Sequence, residues 1–325
     1  MKNIGIIGLG KYVPHRVLTN AELETMVDTS DEWITTRTGI KRRHIAAKHE
    51  RASHMAIKAA QEAIHKAGID PAKIELIVVG TATPDHAFPS VGCLVQKAIG
   101  AKHAAAFDVS AACCGFLFAL TTAKQYLQAG LYKNALVVAA EKFSNIVNWS
   151  DRSTCVLFGD GAGACVLSPV SAPHGILADY MLSLGEFADT MTVVEEDLEP
   201  LVAKQVMVHK PYIVMQGQEL FKIAVNSMAE GLEIAAHKAK IKVSDIDIVV
   251  PHQANDRILS AVAKKAKIPP ERFFVNIDRY GNMSAASIAV ALYEAVESGR
   301  IKKGSTVALV AFGGGLVSAA NIVKW

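Results

Sequence analysis

A chain of 325 residues, 51% hydrophobic and 20% charged, is long enough for a large buried core in two domains or one duplicated one. A formal charge of +3 is too small to argue for nucleic acid, and no apolar run approaches the roughly 20 residues of a membrane span. The five cysteines, Cys93, Cys113, Cys114, Cys155 and Cys165, are an odd set without C-x-x-C spacing, so reduced thiols are expected rather than disulfides or a zinc site.

In chain order, Met1-Lys2-Asn3-Ile4-Gly5 enters a strand-like run at once and lacks the features of a secretory signal, so a cytoplasmic location is expected. Gly8-Leu9-Gly10 starts like a dinucleotide fingerprint, but Val13 stands where the third Gly belongs, and no nucleotide site is assigned. Residues 53–66 have a helical pattern and lead through Gly68-Ile69-Asp70-Pro71 into the strand-like Leu76-Ile77-Val78-Val79. The same order recurs when the helical pattern over 220–238 leads through Val243-Ser244-Asp245 into Ile248-Val249-Val250. Val79 to Asp108 spans 29 positions and Val250 to Asp278 spans 28; Asp108 to Gly130 spans 22 and Asp278 to Gly299 spans 21. Leu136-Val137-Val138 and Val307-Ala308-Leu309 follow. Such alternation predicts an α/β chain made of two βαβ-rich halves, residues 1–170 and 171–325, related by an approximate two-fold axis. Equivalent turns then face each other across that axis and frame a pocket. The segment 171–211 has no counterpart of its length in the first half, and Glu195-Glu196-Asp197 reads as a solvated loop.

The first of these turns reads Asp108-Val109-Ser110-Ala111-Ala112-Cys113-Cys114-Gly115. A Cys at a helix start is expected to have its thiolate stabilised and its pKa lowered toward neutrality, which makes a nucleophile. Local sequence alone favours two small core residues. In the second half, Pro251-His252-Gln253-Ala254-Asn255 places His252 beyond a strand's C-terminal end, where α/β sheets gather ligands. Asn282, in Gly281-Asn282-Met283-Ser284-Ala285-Ala286-Ser287, stands near the position that Cys113 holds in the first half. Two Gly-rich stretches lie late in each half: Phe158-Gly159-Asp160-Gly161-Ala162-Gly163, read as a turn between core strands, and Phe312-Gly313-Gly314-Gly315, a candidate oxyanion donor.

These strings, with Asp31-Glu32-Trp33-Ile34 and Thr36-Arg37-Thr38-Gly39-Ile40, together resemble the β-ketoacyl-acyl-carrier-protein synthase III family from near residue 4 to the C-terminus. A Cys-His-Asn set separates that family from the elongating synthases, which use Cys-His-His. The resemblance implies a thiolase-like fold in α/β/α/β/α layers and initiation of fatty acid synthesis. Cys113 would take an acyl group from an acyl-coenzyme A primer, acetyl-coenzyme A first among them; malonyl carrier protein would then lose carbon dioxide and attack the acyl-Cys. His252 and Asn282 would hold the developing enolate, and the N–H groups of Cys113 and Gly314 the oxyanion. Trp33, Arg37 and Arg152 match positions for the adenine and phosphates of coenzyme A, Gly217 and Asn255 positions near its pantetheine arm. Arg257 and Lys222, with Lys264 and Lys265 as further candidates, match the surface that receives the acidic carrier protein. Phe88 resembles a residue that crosses a homodimer interface. No metal or redox cofactor is implied. Cys114, Ser153, Gln218 and Gly315-Leu316-Val317-Ser318 depart from the family pattern and concern the substrate tunnel rather than the chemistry. The competing readings are a polyketide-forming or acyl-transferring relative with the same three residues, and a non-catalytic acyl-binding scaffold.

Overall fold

Runs of Val, Ile, Leu and Ala become strands buried on both faces, because helices cover each side of the sheets they form. The computed structural model describes residues 2–194 and 212–325; the Glu195-Glu196-Asp197 cluster lies outside the described residues. The first half contributes β1 (Ile4–Tyr12), β2 (Leu76–Gly80), β3 (Ala105–Val109), β4 (Ala135–Lys142) and β5 (Asp160–Pro169), in the order β1-β5-β4-β2-β3. The second contributes β6 (Gly175–Ser183), β7 (Ile248–Pro251), β8 (Thr306–Gly313) and β9 (Val317–Lys324), in the order β6-β9-β8-β7. Strand directions agree: β4 and β2 run parallel as β8 and β7 do, and β5 and β9 run against their neighbours. The partner of β7 that answers to β3 is a single parallel bridge from Phe273 to Val249.

Side chains alternate along β2 and sort the layers. Val78 faces the interior between the sheets, with α3 (Gly115–Gln128) and α6 (Ala285–Glu297) through Phe116, Leu117, Ile288 and Leu292. Ile77 and Val79 face outward to α1 (Ala52–Ala67) and α2 (Val91–Ile99), while Val249 and Val310 face α4 (Gly217–Lys238) and α5 (Asp256–Ala266). The result is five layers, α/β/α/β/α. Each fully buried Leu, Ile or Phe of the middle layer contributes about 1.5–3 kcal/mol of transfer free energy. No helix among the described residues is long and apolar enough to cross a membrane.

The expected match of Asp108 with Asp278 is one of spacing and not of role. Asp108 lies on a strand, paired with Val79, whereas Asp278 lies in a short helix, Ile277–Tyr280, past the Phe273 bridge to Val249. Asp108 accepts from the N–H groups of Val91 and Gly92 at the start of α2, whereas Asp278 sits 3.9 Å from Arg279. Cys113 and Asn282 match better, since each lies fifteen residues before the last residue of its helix, Gln128 and Glu297. The segment after residue 171 holds β6, the counterpart of β1, and the strand Met191–Val194, which pairs with Tyr212–Met215.

Candidate active site

Three turns at the interface between the halves build the site. The cysteine turn is a short 3-10 turn, Ala112–Cys114, entered through Ala112 at φ 41, a region that non-Gly residues seldom adopt. It rests against the end of β8 so closely that a Cβ on Gly313 would meet the Cys113 N at 2.7 Å and its Cβ at 2.8 Å. Only Gly fits there. Cys114 turns the other way, with its thiol 3.4 Å from the Val317 carbonyl inside the middle layer, and no part of it lines the cavity below.

His252 follows β7, and its N–H extends the ladder to the Val310 carbonyl (2.7 Å). Its Nδ1 lies 2.6 Å from the Ser287 hydroxyl, which donates to the Ser284 carbonyl at 2.8 Å. With that hydroxyl proton committed, the hydrogen-bond pattern assigns the imidazole proton to Nδ1 and leaves Nε2 a bare acceptor. Burial holds the imidazole pKa down at about 3, so the ring is neutral.

Asn282 is fastened by its backbone to the end of the first half: its N–H donates to the Leu157 carbonyl (2.9 Å), and its carbonyl accepts from the Gly159 N–H (3.0 Å). Its Oδ1 accepts from the Ser284 N–H at 2.8 Å, which commits the oxygen and leaves the Nδ2 donors for a ligand. The first Gly-rich stretch, expected as a plain turn, is what lets this loop approach. A Cβ on Gly159 would lie 2.6 Å from the Tyr280 carbonyl, one on Gly161 2.6 Å from the Met283 sulfur, and one on Gly163 2.5 Å from the Ala289 Cβ.

Cys113, His252, Asn282 and Gly314 line one cavity of about 390 Å³ whose walls include Phe143, Phe158, Met191, Met215 and Phe312. The three polar side chains are 4%, 1% and 7% exposed, so they sit at the buried end of the cavity. This reverses one expectation. Burial pushes the Cys113 thiol up to about 12, against a downward pull from the Ser284 hydroxyl 3.4 Å from its sulfur, with the nearby Glu141 charge adding to the rise. The helix proper begins two residues later, at Gly115, so Cys113 stands before its first turn. Sulfur here is a neutral thiol at rest and needs a base.

Gly217, the first residue of α4, and Asn255, the N-cap of α5, also line the cavity. Asn255 joins the halves, since its side chain caps Arg257 N–H at 2.9 Å and donates to the Arg37 carbonyl at 3.1 Å. Trp33, Arg37 and Arg152 are not among the lining residues; Trp33 and Arg152 meet outside it, the guanidinium 5.1 Å from the ring centroid. Arg152 is further held by the Asp28 carbonyl at 2.7 Å. Lys222, Arg257, Lys264 and Lys265 are exposed, and Phe88 is 86% exposed. Sequence reasoning passed over Ser284, Ser287 and Glu141. The first two stood in a quoted motif, but nothing in a sequence shows that their hydroxyls turn toward Cys113 and His252.

Residues 107–185 match the family profile described as 3-oxoacyl-[acyl-carrier-protein] synthase III, and residues 236–325 match that of its C-terminal part. A β-ketoacyl-[acyl-carrier-protein] synthase III of Desulfitobacterium hafniense is 48% identical over all of this chain and 98% of its own length. Among solved structures, the 3-oxoacyl-[acyl-carrier-protein] synthase III of Aquifex aeolicus superposes with a TM-score of 0.92 at 48% identity, covering 99% of this chain and 100% of that one. The priming β-ketosynthase of the R1128 polyketide pathway reaches the same TM-score at 34% identity, covering 99% and 96%. Five layers, a buried Cys-His-Asn cavity and full-length likeness at nearly half identity agree: the chain has the thiolase-like fold and belongs to the β-ketoacyl-[acyl-carrier-protein] synthase III family.

Proposed function

We propose that this chain starts fatty acid synthesis by joining an acyl-coenzyme A primer, with acetyl-coenzyme A the expected one, to malonyl-acyl-carrier-protein through an acyl-Cys113 intermediate. The observation that carries this reading is that Cys113, His252 and Asn282 line one buried cavity, with the His252 Nε2 and the Asn282 Nδ2 left free by bonds made elsewhere. In the first half-reaction the thiol proton passes to His252 Nε2 as sulfur attacks the thioester carbonyl. The N–H groups of Cys113 and Gly314 hold the oxyanion, the bond to coenzyme A breaks, and the departing sulfur takes the proton. In the second, the bond to the malonyl carboxylate breaks, carbon dioxide leaves, and the electron pair becomes an enolate that accepts from Asn282 Nδ2. His252 adds a second donor in the tautomer reached when Nδ1 loses its proton to solvent and Nε2 gains one from it, with the Ser287 hydroxyl turned to donate to Nδ1. The enolate carbon attacks acyl-Cys113, and the released thiolate recovers a proton from solvent. Every role falls to a side chain, a backbone N–H or a thioester, so the scheme calls for no cofactor.

Around this centre, Trp33 stacks on the adenine, Arg37 and Arg152 bind the phosphates, and Gly217 and Asn255 border the pantetheine arm. Arg257 and Lys222 receive the carrier protein; they sit on the two helices whose first turns open onto the cavity. Phe88 is offered to a second copy in a homodimer, and residues 1–170 and 171–325 are two copies of one unit. Incubation with a panel of acyl-coenzyme A primers and malonyl carrier protein tests the reading. A 3-oxoacyl carrier protein with release of one carbon dioxide is expected. Transfer to another acceptor would mean an acyl-transferring or polyketide-forming relative, and no adduct on Cys113 an acyl-binding scaffold.

A further inference from the structure

One residue touches all three members of the candidate set. Ser284, fully buried at the start of α6, has its N–H on the Asn282 Oδ1 (2.8 Å), its carbonyl on the Ser287 hydroxyl that orients His252 (2.8 Å), and its hydroxyl 3.4 Å from the Cys113 sulfur. Its backbone lies at φ 47 and ψ −125, a costly conformation that persists where surroundings over-determine it. Behind it lies a carboxyl that the mechanism does not use. Glu141, on β4, has no exposed surface and accepts from the Thr83 hydroxyl (2.6 Å) and the Ala82 N–H (3.1 Å); the Ser284 hydroxyl and Ala285 N–H also face it. Other charges around it are engaged elsewhere. Lys142 donates to the Ala47 and Glu50 carbonyls, Asp160 accepts from Ala46 and Ser144, Asp108 from Val91 and Gly92, and Asp85 from Ser53. That leaves Cys113 as the titratable group on which its charge acts, with neutral His252 across the cavity.

We propose that Ser284 is a positioning residue of the condensation and that Glu141 governs it. The Ser284 hydroxyl has one proton to give. When Glu141 is neutral that proton points at the Cys113 sulfur and favours the thiolate; when Glu141 is ionised the carboxylate competes for the proton and its charge opposes the thiolate. Burial, opposed by these hydrogen bonds, raises the carboxyl to about 7, so the two forms exchange near neutral pH. The inference rests on Cys113 being the nucleophile, which Cys113→Ser tests separately.

The experiment is the pH profile of Cys113 alkylation by iodoacetamide, followed by mass, with acylation and carbon dioxide release measured on the same variants. Ser284→Ala keeps the backbone contacts to Asn282 and Ser287 and should lower alkylation and acylation by about tenfold to a hundredfold while decarboxylation stays close to the parent's. Ser284→Gly relieves the backbone and should be equally slow, so strain and hydroxyl are separated. Glu141→Gln should alkylate faster, by about tenfold at about pH 9, and lose the inflection near neutrality. The double variant Glu141→Gln with Ser284→Ala should lose most of that gain. The proposal is overturned if Ser284→Gly regains the parental rate, if Glu141→Gln is no faster, or if its full gain survives without the hydroxyl.

Discussion

At the residue scale, two adjacent thiols have opposite fates because one faces the cavity and the other the core. Cys113→Ser should abolish acyl transfer, whereas Cys114→Ala should keep most activity and lose on the order of 1 kcal/mol of stability, as expected for removing a buried sulfur. Equal loss of acylation from both substitutions would contradict the assignment. The residue types were legible in the sequence because Cys113, His252 and Asn282 lie at turns that the repeat sets opposite one another. The electrostatics were not. A helix start suggested a depressed thiol pKa, but desolvation depends on the walls, which come from Phe143, Met191 and Met215, residues far apart in the chain. For the same reason nothing in the sequence singled out Glu141 or Ser287.

At the element scale, the matching order of strands and helices was legible from its period while its details were not. The Asp108 and Asp278 spacings agree only because a shorter stretch between Val249 and its bridge partner Phe273 is offset by the short helix Ile277–Tyr280, and no composition signal marks either change. The Gly-rich run of β5 matters through what it lets approach. Gly163→Ala would drive a methyl into Ala289 of α6 and should cost about 1–3 kcal/mol by overpacking. Because α6 starts at the Ser284 and Asn282 turn, decarboxylation should fall with it more than acylation does. Thermal unfolding together with the two half-reactions checks this; an unchanged melting temperature would mean that the helix gives way freely.

At the scale of the whole molecule, the proposed docking of a carrier protein would rest on exposed basic residues beside the cavity mouth. Arg257→Glu should weaken use of malonyl carrier protein strongly at low salt and less at high salt, because screening removes the attraction in the parent, and should spare self-acylation from coenzyme A thioesters. Salt-independent carrier kinetics in both proteins would remove Arg257 from the docking surface. The division of labour between halves is the central claim: Cys113, from the first, makes the bond to the acyl group, while His252 and Asn282, from the second, hold the enolate. Separate measurement of acyl transfer and of labelled carbon dioxide release in Asn282→Ala tests it most directly. Acylation should persist while decarboxylation falls about a hundredfold to a thousandfold, the usual cost of one such donor; lost acylation with normal decarboxylation would contradict the account.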